Sequence, residues 1–204
     1  MQRVSATRTE LLARRTQIGL ARQGRDLLED KRQILVKELT QLAERGLQGA
    51  SALEELAVEG RGALGDGNAF DGPEQVASAA LAATGAVELE VERRNVAGVE
   101  LVEIVKQPVA RPVTRRGYSL AATSARVDRI AEVHERLLDE LLDAVGVELS
   151  MRRLAEEIQR TARRVNALEH VVIPRLEDER RYIALVLDER EREDRTRLRR
   201  AKAR

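Results

Sequence analysis

The chain has 204 residues, of which 36 are Lys or Arg and 35 are Asp or Glu, so its formal net charge is only +1. Aromatic residues make up 1% of it, while Ala, Glu, Lys, Leu and Arg exceed half, a composition typical of coiled coils and long helices. The absence of cysteine excludes disulfide bonds, thiolate catalysis and cysteine-ligated metals. Because no apolar run reaches the length of a membrane span and no signal-peptide core occurs, we expect a cytoplasmic protein.

The first predicted element is a long helix over residues 1–62. Thr7 and Glu10 form a Thr-x-x-Glu capping box, which marks a helix start. Apolar residues then recur at the three-, four- and seven-residue steps of a coiled-coil seam. They are Leu11, Ile18, Ala21, Leu28, Leu35, Leu39 and Leu42. The glycine-rich stretch 60–73 is expected to end this helix.

Residues 63–123 are predicted to form a small insert. Pro73 can open a short helix over residues 73–83, since proline suits the first helical position. Alternating apolar residues predict a β-hairpin over Ala86–Lys106, with a slip in the alternation after Leu101. A basic loop over residues 111–119 follows the hairpin.

A second long helix, ending in a basic tail, is predicted over residues 124–204. Two consecutive four-residue steps, at Leu168, Val172 and Leu176, form a stutter that relaxes a left-handed supercoil. Pro174 lies within this helix, and the sequence is compatible either with a kink in one continuous helix or with a break between two. Two long helices separated by a small insert most simply fold back on each other. The predicted fold class is therefore mainly α: a long antiparallel two-helix coiled coil with a small insert containing a β-hairpin.

No residue pattern typical of catalysis, cofactor binding or metal binding occurs. His134 and His170 have no second ligand at metal-binding spacing, and the glycines of residues 60–67 are not followed by the Lys-Ser/Thr of a phosphate-binding loop. Neighbouring carboxylates, at 156–157 and 177–179, lie among arginines, which is typical of a solvated helix face. We therefore expect a non-catalytic protein without cofactor or metal.

The basic ends of the chain are the most informative charge pattern. An antiparallel hairpin brings both ends to one tip, and arginines at a helix start oppose the helix dipole, which favours an external partner over a solvated tail. The cations concerned are Arg3, Arg8, Arg14, Arg15, Arg195, Arg197, Arg199, Arg200 and Lys202. Farther along the second helix, Arg163 and Arg164 flank the seam residue Val165, so at least one of them points outward.

Several segments resemble the D subunit of the V/A-type rotary ATPases. The most specific is TARRVNALE at residues 161–169, followed by VVIP at 171–174. LDERERE at residues 187–193, RLRRAK at 197–202 and TRTELL at 7–12 fit the same family, and FDGPE at 70–74 resembles its bacterial members. Asn166 and Arg190 fall within these segments and join the candidate partner-contact residues.

The resemblance implies a central rotor shaft. In that family the terminal helices form a coiled coil inside a sleeve of catalytic A and B subunits. The other end connects, through the small F subunit and a funnel-shaped socket subunit, to the membrane rotor ring that moves protons or sodium ions. The resemblance thus implies a peripheral place at the cytoplasmic face of the cell membrane, with ATP chemistry in the partners.

Two other functions are compatible with the composition. A cytoplasmic coiled-coil scaffold or adaptor would have the same helices. A nucleic-acid binder could use the basic tip, because phosphate binding needs a basic footprint. The chain lacks stacking aromatic residues and most of its arginines alternate with acids, so we expect no nucleic-acid partner.

Overall fold

The computed structural model describes residues 5–83 and 86–202. Helices dominate, and one two-stranded antiparallel sheet accompanies them, which confirms the predicted fold class. The elements in chain order are α1 (Arg8–Phe70), α2 (Pro73–Ala82), β1 (Leu89–Val96), β2 (Val99–Lys106), a 3₁₀ turn (Val113–Arg115), α3 (Ala125–Ala167), a π-helical turn (Leu168–Val172) and α4 (Ile173–Lys202). The chain divides into two compact units: unit 1 comprises residues 1–34 and 157–204, and unit 2 residues 35–156. No helix in the described ranges has the length and apolarity needed to cross a bilayer.

Helix α1 starts at the predicted cap but ends later than expected. The Glu10 N–H donates a hydrogen bond to Thr7 Oγ1 over 3.2 Å, whereas the Glu10 carboxylate pairs with Arg14 instead of closing the capping box. The prediction that the helix ends near residue 62 was wrong, because α1 continues to Phe70. It ends where Gly72 adopts a positive φ of 89° and Pro73 opens α2.

Glycines inside α1 explain this difference. Gly60 and Gly67 are buried, and a Cβ on Gly67 would lie 2.5 Å from Ile130 Cδ1 on α3. On Gly60 it would lie 3.4 Å from His134 Cε1. These glycines therefore permit close helix packing, so the sequence pattern that indicated a helix break marks a tight contact instead.

Unit 1 is an antiparallel helix pair. The first part of α1 runs against the end of α3, the π-helical turn and α4, as the pairs Arg8–Glu191 and Lys31–Glu157 show. Its buried seam residues are Ile18, Thr161, Val165, Ile173 and Ile183.

Because of the π-helical turn, one seam position is occupied by a different residue from the one that the sequence predicts. Val172 is 38% exposed, and its neighbour Ile173 is only 8% exposed. The Ile173 N–H donates to the Leu168 carbonyl five residues earlier, so the turn takes up one extra residue and moves the seam by one position. Helical residues continue without interruption through Pro174, so the helix is continuous there.

Unit 2 combines the rest of α1 with α2, the hairpin and most of α3. Its apolar core includes Leu35, Leu42, Val133 and Leu154. The hairpin falls within the predicted range 86–106, and Val96 pairs with Val99 across a two-residue turn.

The hairpin turn and its docking follow from a few residues. Ala97 and Gly98 have φ of 49° and 85°, as a type I′ turn requires. Strand β2 docks on α3 through Ser150, whose hydroxyl accepts from the Val102 N–H and donates to the Val102 carbonyl, each over 2.9 Å. On β2 the buried Leu101 is followed directly by the half-buried Val102, so the alternation of buried and exposed residues is interrupted where the sequence predicts the slip.

Candidate partner-binding surfaces

The ion pairs that join the two helices of unit 1 all have the same polarity. In each pair the cation comes from α1 and the carboxylate from the C-terminal helical segment. The pairs are Arg8–Glu191 at 2.6 Å, Arg14–Glu179 at 2.8 Å, Arg22–Glu177 at 2.6 Å and Lys31–Glu157 at 2.7 Å. These four cations of α1 are thereby neutralised within the chain, whereas no described cation of the C-terminal segment pairs with a carboxylate of α1.

These contacts also hold the carboxylates in their charged form. The hydrogen bond from Lys31 is the largest cause that lowers the pKa of Glu157, and attraction to Lys31 adds to it. The hydrogen bond from Arg8 lowers the pKa of Glu191 in the same way. Both carboxylates therefore stay ionised at neutral pH and below.

The predicted contact residues of α1 differ in availability. Arg14 is only 19% exposed at its side chain and binds Glu10 and Glu179, so it is an internal contact. Arg8 is largely exposed but paired with Glu191. Arg15 is exposed and forms no ion pair among the described residues, and Arg3 lies outside them.

The signature segment of α3 presents its cations outward. Val165 is buried in the seam, whereas Arg163, Arg164 and Asn166 are exposed. Within the described ranges none of these three side chains has an intramolecular hydrogen bond or ion pair. They form the α3 basic surface, defined as Arg163, Arg164 and Asn166, which is free to bind another molecule.

The end of α4 forms a second basic surface. Every residue from 192 to 202 is exposed. Arg195 and Arg197 form only long pairs with acids one turn earlier, at 3.4 and 3.9 Å. The remaining cations, Arg199, Arg200 and Lys202, have no ion pair in the part of the chain that the structure describes. We call residues 195–202 the α4 basic surface.

Arg190 has an internal role. Its Nη1 donates to the Ala6 carbonyl over 3.1 Å and holds the residues that precede α1 against α4. Of the predicted contact set, the α3 and α4 basic surfaces and Arg15 are thus available to partners, and Arg14 and Arg190 are engaged within unit 1.

Unit 2 contains a buried charge cluster that sequence reasoning missed. Arg116 and Glu135 are 5% and 6% exposed, and Arg116 Nε and Nη2 donate to the two Glu135 carboxylate oxygens over 3.3 and 3.0 Å. The N–H and Nε of Arg111 donate to the same carboxylate. Arg116 also reaches the Asp128 carbonyl, and Tyr118 donates to the Asp128 carboxylate. The loop after the hairpin is therefore fixed on α3.

Opposing effects set the pKa of Glu135. Burial, the largest single effect, would raise it, but the hydrogen bonds from Arg116 and Arg111 together outweigh burial and lower the pKa. No signal in the sequence distinguishes this pair, because Arg and Glu are abundant throughout the chain.

Further ion pairs hold the hairpin. Lys106, at the end of β2, lies 3.1 Å from Asp139 and 2.9 Å from Asp143 on α3, and its Nζ donates to the Asp139 carbonyl. Arg94 on β1 pairs with Glu38 on α1. The hairpin is thus fixed to both α1 and α3.

Several of the residues considered for catalysis have structural contacts. His134 Nδ1 lies 2.7 Å from the Ile130 carbonyl, and Glu157, Glu177 and Glu179 are engaged in ion pairs. Across the described residues no group of three or more His, Asp or Glu could hold a metal ion. The arrangement is chemically suited to ionic and hydrogen-bonding contacts with other macromolecules.

Comparisons with known proteins agree over almost the whole length. The family of ATP synthase D subunits matches residues 10–203. The V-type ATP synthase D subunit of Anaeromyxobacter sp. (strain K) is 41% identical over 204 residues, covering 100% of this chain and 98% of that protein. The A-type ATP synthase D subunit of Archaeoglobus fulgidus is 37% identical over 203 residues, covering 99% and 97%. The V-type ATP synthase D subunit of Thermus thermophilus is 39% identical over 206 residues, covering 99% and 89%.

Proposed function

Because the chain belongs to the family of ATP synthase D subunits, we propose that it is the central-stalk rotor shaft of a V/A-type ATP synthase or ATPase. In this role it couples rotation inside the catalytic A/B hexamer to proton or sodium transport. The observation that carries the proposal is similarity that extends over almost the full length of the chain and 89–98% of the three relatives. The paired helices and the docked hairpin support it, since a shaft needs long elements with fixed attachments.

Unit 1 is the part that enters the sleeve of A and B subunits. Its support is the distribution of free charge: the α3 basic surface, the α4 basic surface and Arg15 all face outward. Arginine forms bidentate, charge-assisted bonds with carboxylates and also binds backbone carbonyls. Exposed ion pairs are worth about 0.2–1 kcal/mol each, so a rotating surface can exchange them between equivalent subunits.

Unit 2 faces the F subunit and the socket subunit of the rotor ring. The support is the number of contacts that fix its hairpin and loop, including the buried Arg116–Glu135 pair. A surface held in this way can transmit force without losing its shape.

ATP binding and hydrolysis belong to the partner subunits, so the chain itself is not catalytic. It lies at the cytoplasmic face of the cell membrane as a peripheral part of the complex. The scaffold alternative lacks comparable support, because it does not account for full-length similarity to one family of subunits.

Co-purification with the A and B subunits of the same organism tests this function. We expect the chain to elute with them in one complex that hydrolyses ATP. Deleting residues 86–106, the hairpin, should alter coupling or ATPase activity while the A/B subunits remain bound. Loss of A/B binding on this deletion would contradict the assignment of unit 1 to the sleeve, and failure of the intact chain to join the complex would contradict the function.

A further inference from the structure

The C-terminal helical segment contains one residue more than a regular seam needs. Its inward residues are Val165, Leu168, Ile173 and Leu176, separated by steps of three, five and three. A step of four in place of five would continue the coiled-coil pattern. The π-helical turn takes up the extra residue, since the Ile173 N–H bonds to the carbonyl five positions back.

Pro174 adds a second irregularity at the same place. Proline has no N–H, so the His170 carbonyl has no donor four residues ahead, and in an α-helix the ring would press against that carbonyl. Val171 and Val172 are 63% and 38% exposed. Helix hydrogen bonding is therefore weaker at residues 168–174 than in a regular turn, although Ile173 stays buried.

Ion pairs across the helix pair lie on either side of this level. Lys31 pairs with Glu157 and Arg22 with Glu177, so Gly24 of α1 and residues 168–174 of the C-terminal segment both lie between these two ion pairs. No ion pair joins the two helices between those two pairs, within the residues described. Gly24 lies in the facing stretch, and a Cβ placed on it would meet nothing within 4 Å.

We propose that residues 168–174, together with the facing turn around Gly24, form a joint at which the helix pair of unit 1 yields first to twisting. Exchange between π- and α-type hydrogen bonds would let the helix rewind there without moving the seam elsewhere. The α3 basic surface lies before the joint and the α4 basic surface after it, so the two surfaces can rotate relative to each other about the helix axis. That use rests on the proposed function, whereas the joint itself is a property of the isolated chain.

Hydrogen–deuterium exchange of the purified full-length chain tests the joint. Locally weak segments exchange their amides by local opening. We expect the amides of residues 168–173 to exchange at least about tenfold faster than those of residues 160–166 and 178–186. Equal protection across all three segments would overturn the proposal. Because no partner is present, this result is independent of whether the chain assembles with the A and B subunits.

A one-residue deletion tests the cause. Removing Val171 in a Pro174→Ala background makes the inward steps three, four and three and restores the missing N–H, so the π-helical turn should become α-helix and exchange there should slow to within about threefold of the flanks. The matched control Val171→Ala keeps the residue count and should leave exchange fast. Fast exchange in a folded deletion variant would overturn the proposal. If the deletion prevents folding, the single variant Pro174→Ala decides the cause. This variant retains the extra residue, so we expect residues 168–173 to keep exchanging fast. Slowing of their exchange to the flanking rate would contradict the proposal.

Discussion

Arg116 and Glu135 are the charged residues that unit 2 buries among those described, and each has several hydrogen bonds. A buried ion pair adds little net stability relative to apolar packing, but removing one partner is costly because the other charge stays buried. The pair therefore acts mainly by fixing one path for the loop after the hairpin. Removal of one partner should therefore lower the stability of the protein more than the net contribution of the intact pair would indicate.

Replacing Glu135 should strongly destabilise the protein. Glu135→Gln leaves the buried Arg116 guanidinium with only the more distant Asp128 carboxylate, 3.9 Å away, as counter-charge, and we expect the free energy of unfolding to fall by about 3 kcal/mol. The control Glu148→Gln removes an exposed carboxylate on the same helix, paired only with Arg152, and should change stability by no more than about 0.5 kcal/mol. Urea unfolding followed by circular dichroism measures both, and equal effects would contradict the assigned role of the buried pair.

The same carboxylate predicts a pH dependence. Because the folded pKa of Glu135 is lowered, the pair contributes stability above the unfolded carboxyl pKa and loses it as pH falls through the folded value. The stability difference between the wild-type chain and Glu135→Gln should therefore narrow as the pH is lowered from about 7 to about 3. Urea unfolding at each pH gives this difference. A difference that stays constant or widens would show that Glu135 is not the titrating group.

At the scale of elements, the effect of a glycine or a proline on a helix depends on what surrounds it. Gly67 lets α1 approach α3 closely, whereas Gly24 faces open space. The π-helical turn accommodates one extra residue beside Pro174 and keeps the C-terminal segment helical. The continuity of both long helices thus depends on local packing as well as on propensity.

The same substitution at two glycines of α1 should give different results. Gly24→Ala meets no atom within 4 Å and should raise the free energy of unfolding by about 1 kcal/mol through helix propensity. Gly67→Ala places its Cβ 2.5 Å from Ile130 Cδ1, so repacking should cost about 1–3 kcal/mol and cancel or reverse that gain. Denaturant unfolding of the two variants measures the contrast. Equal stabilisation by both would contradict the close packing at Gly67.

Periodicity in the sequence was sufficient to predict the long helices, the hairpin and the antiparallel arrangement. It failed where one pattern has two physical meanings. The glycines of 60–73 indicated a helix end, but only the presence of α3 reveals that two of them allow close contact. The stutter near Val172 was visible, yet choosing Ile173 as the seam residue requires knowing that the turn is π-helical. The Arg116–Glu135 pair joins residues 19 positions apart, and among many charges nothing marks those two.

For the candidate sites, sequence reasoning identified the basic residues but not their internal partners. Val165 indicated that Arg163 or Arg164 faces outward, because a buried seam residue lies beside them, and both are exposed. Arg14 could not be distinguished from Arg15 in this way, since its partner Glu179 is far away in the sequence. Ion pairs between distant residues decide which cations remain free.

At the scale of the whole molecule, the charge of unit 1 is divided between internal and external contacts. Four cations of α1 pair with carboxylates of the C-terminal segment, and among the described residues the basic surfaces of α3 and α4 have no ion pair apart from long contacts within α4. This division follows from the antiparallel arrangement and a net charge near zero. It is the physical basis for assigning unit 1 to the catalytic sleeve.

Truncating the α4 basic surface should weaken assembly in a salt-dependent way. Removing residues 195–204 eliminates a cluster of cations, and we expect affinity for the A/B hexamer to fall at least about tenfold at low ionic strength. The difference in affinity between the intact and the truncated chain should narrow as the salt concentration rises, because screening also weakens the contacts of the intact chain. Binding titrations over a salt series measure it. Identical affinities at every salt concentration would indicate a solvated tail without a partner.

The most direct measurement compares two arginine pairs on α3 for binding to the A/B hexamer. Arg163 and Arg164 are exposed and have no ion pair with any described residue, whereas Arg152 and Arg153 are exposed but bound within the chain, to Glu148 and to the Glu100 carbonyl. The double variant Arg163→Ala/Arg164→Ala should weaken binding about threefold to tenfold, and Arg152→Ala/Arg153→Ala should leave it unchanged. Equal weakening of binding by the two double variants, or no weakening by either, would contradict the assignment of the α3 basic surface to the catalytic sleeve.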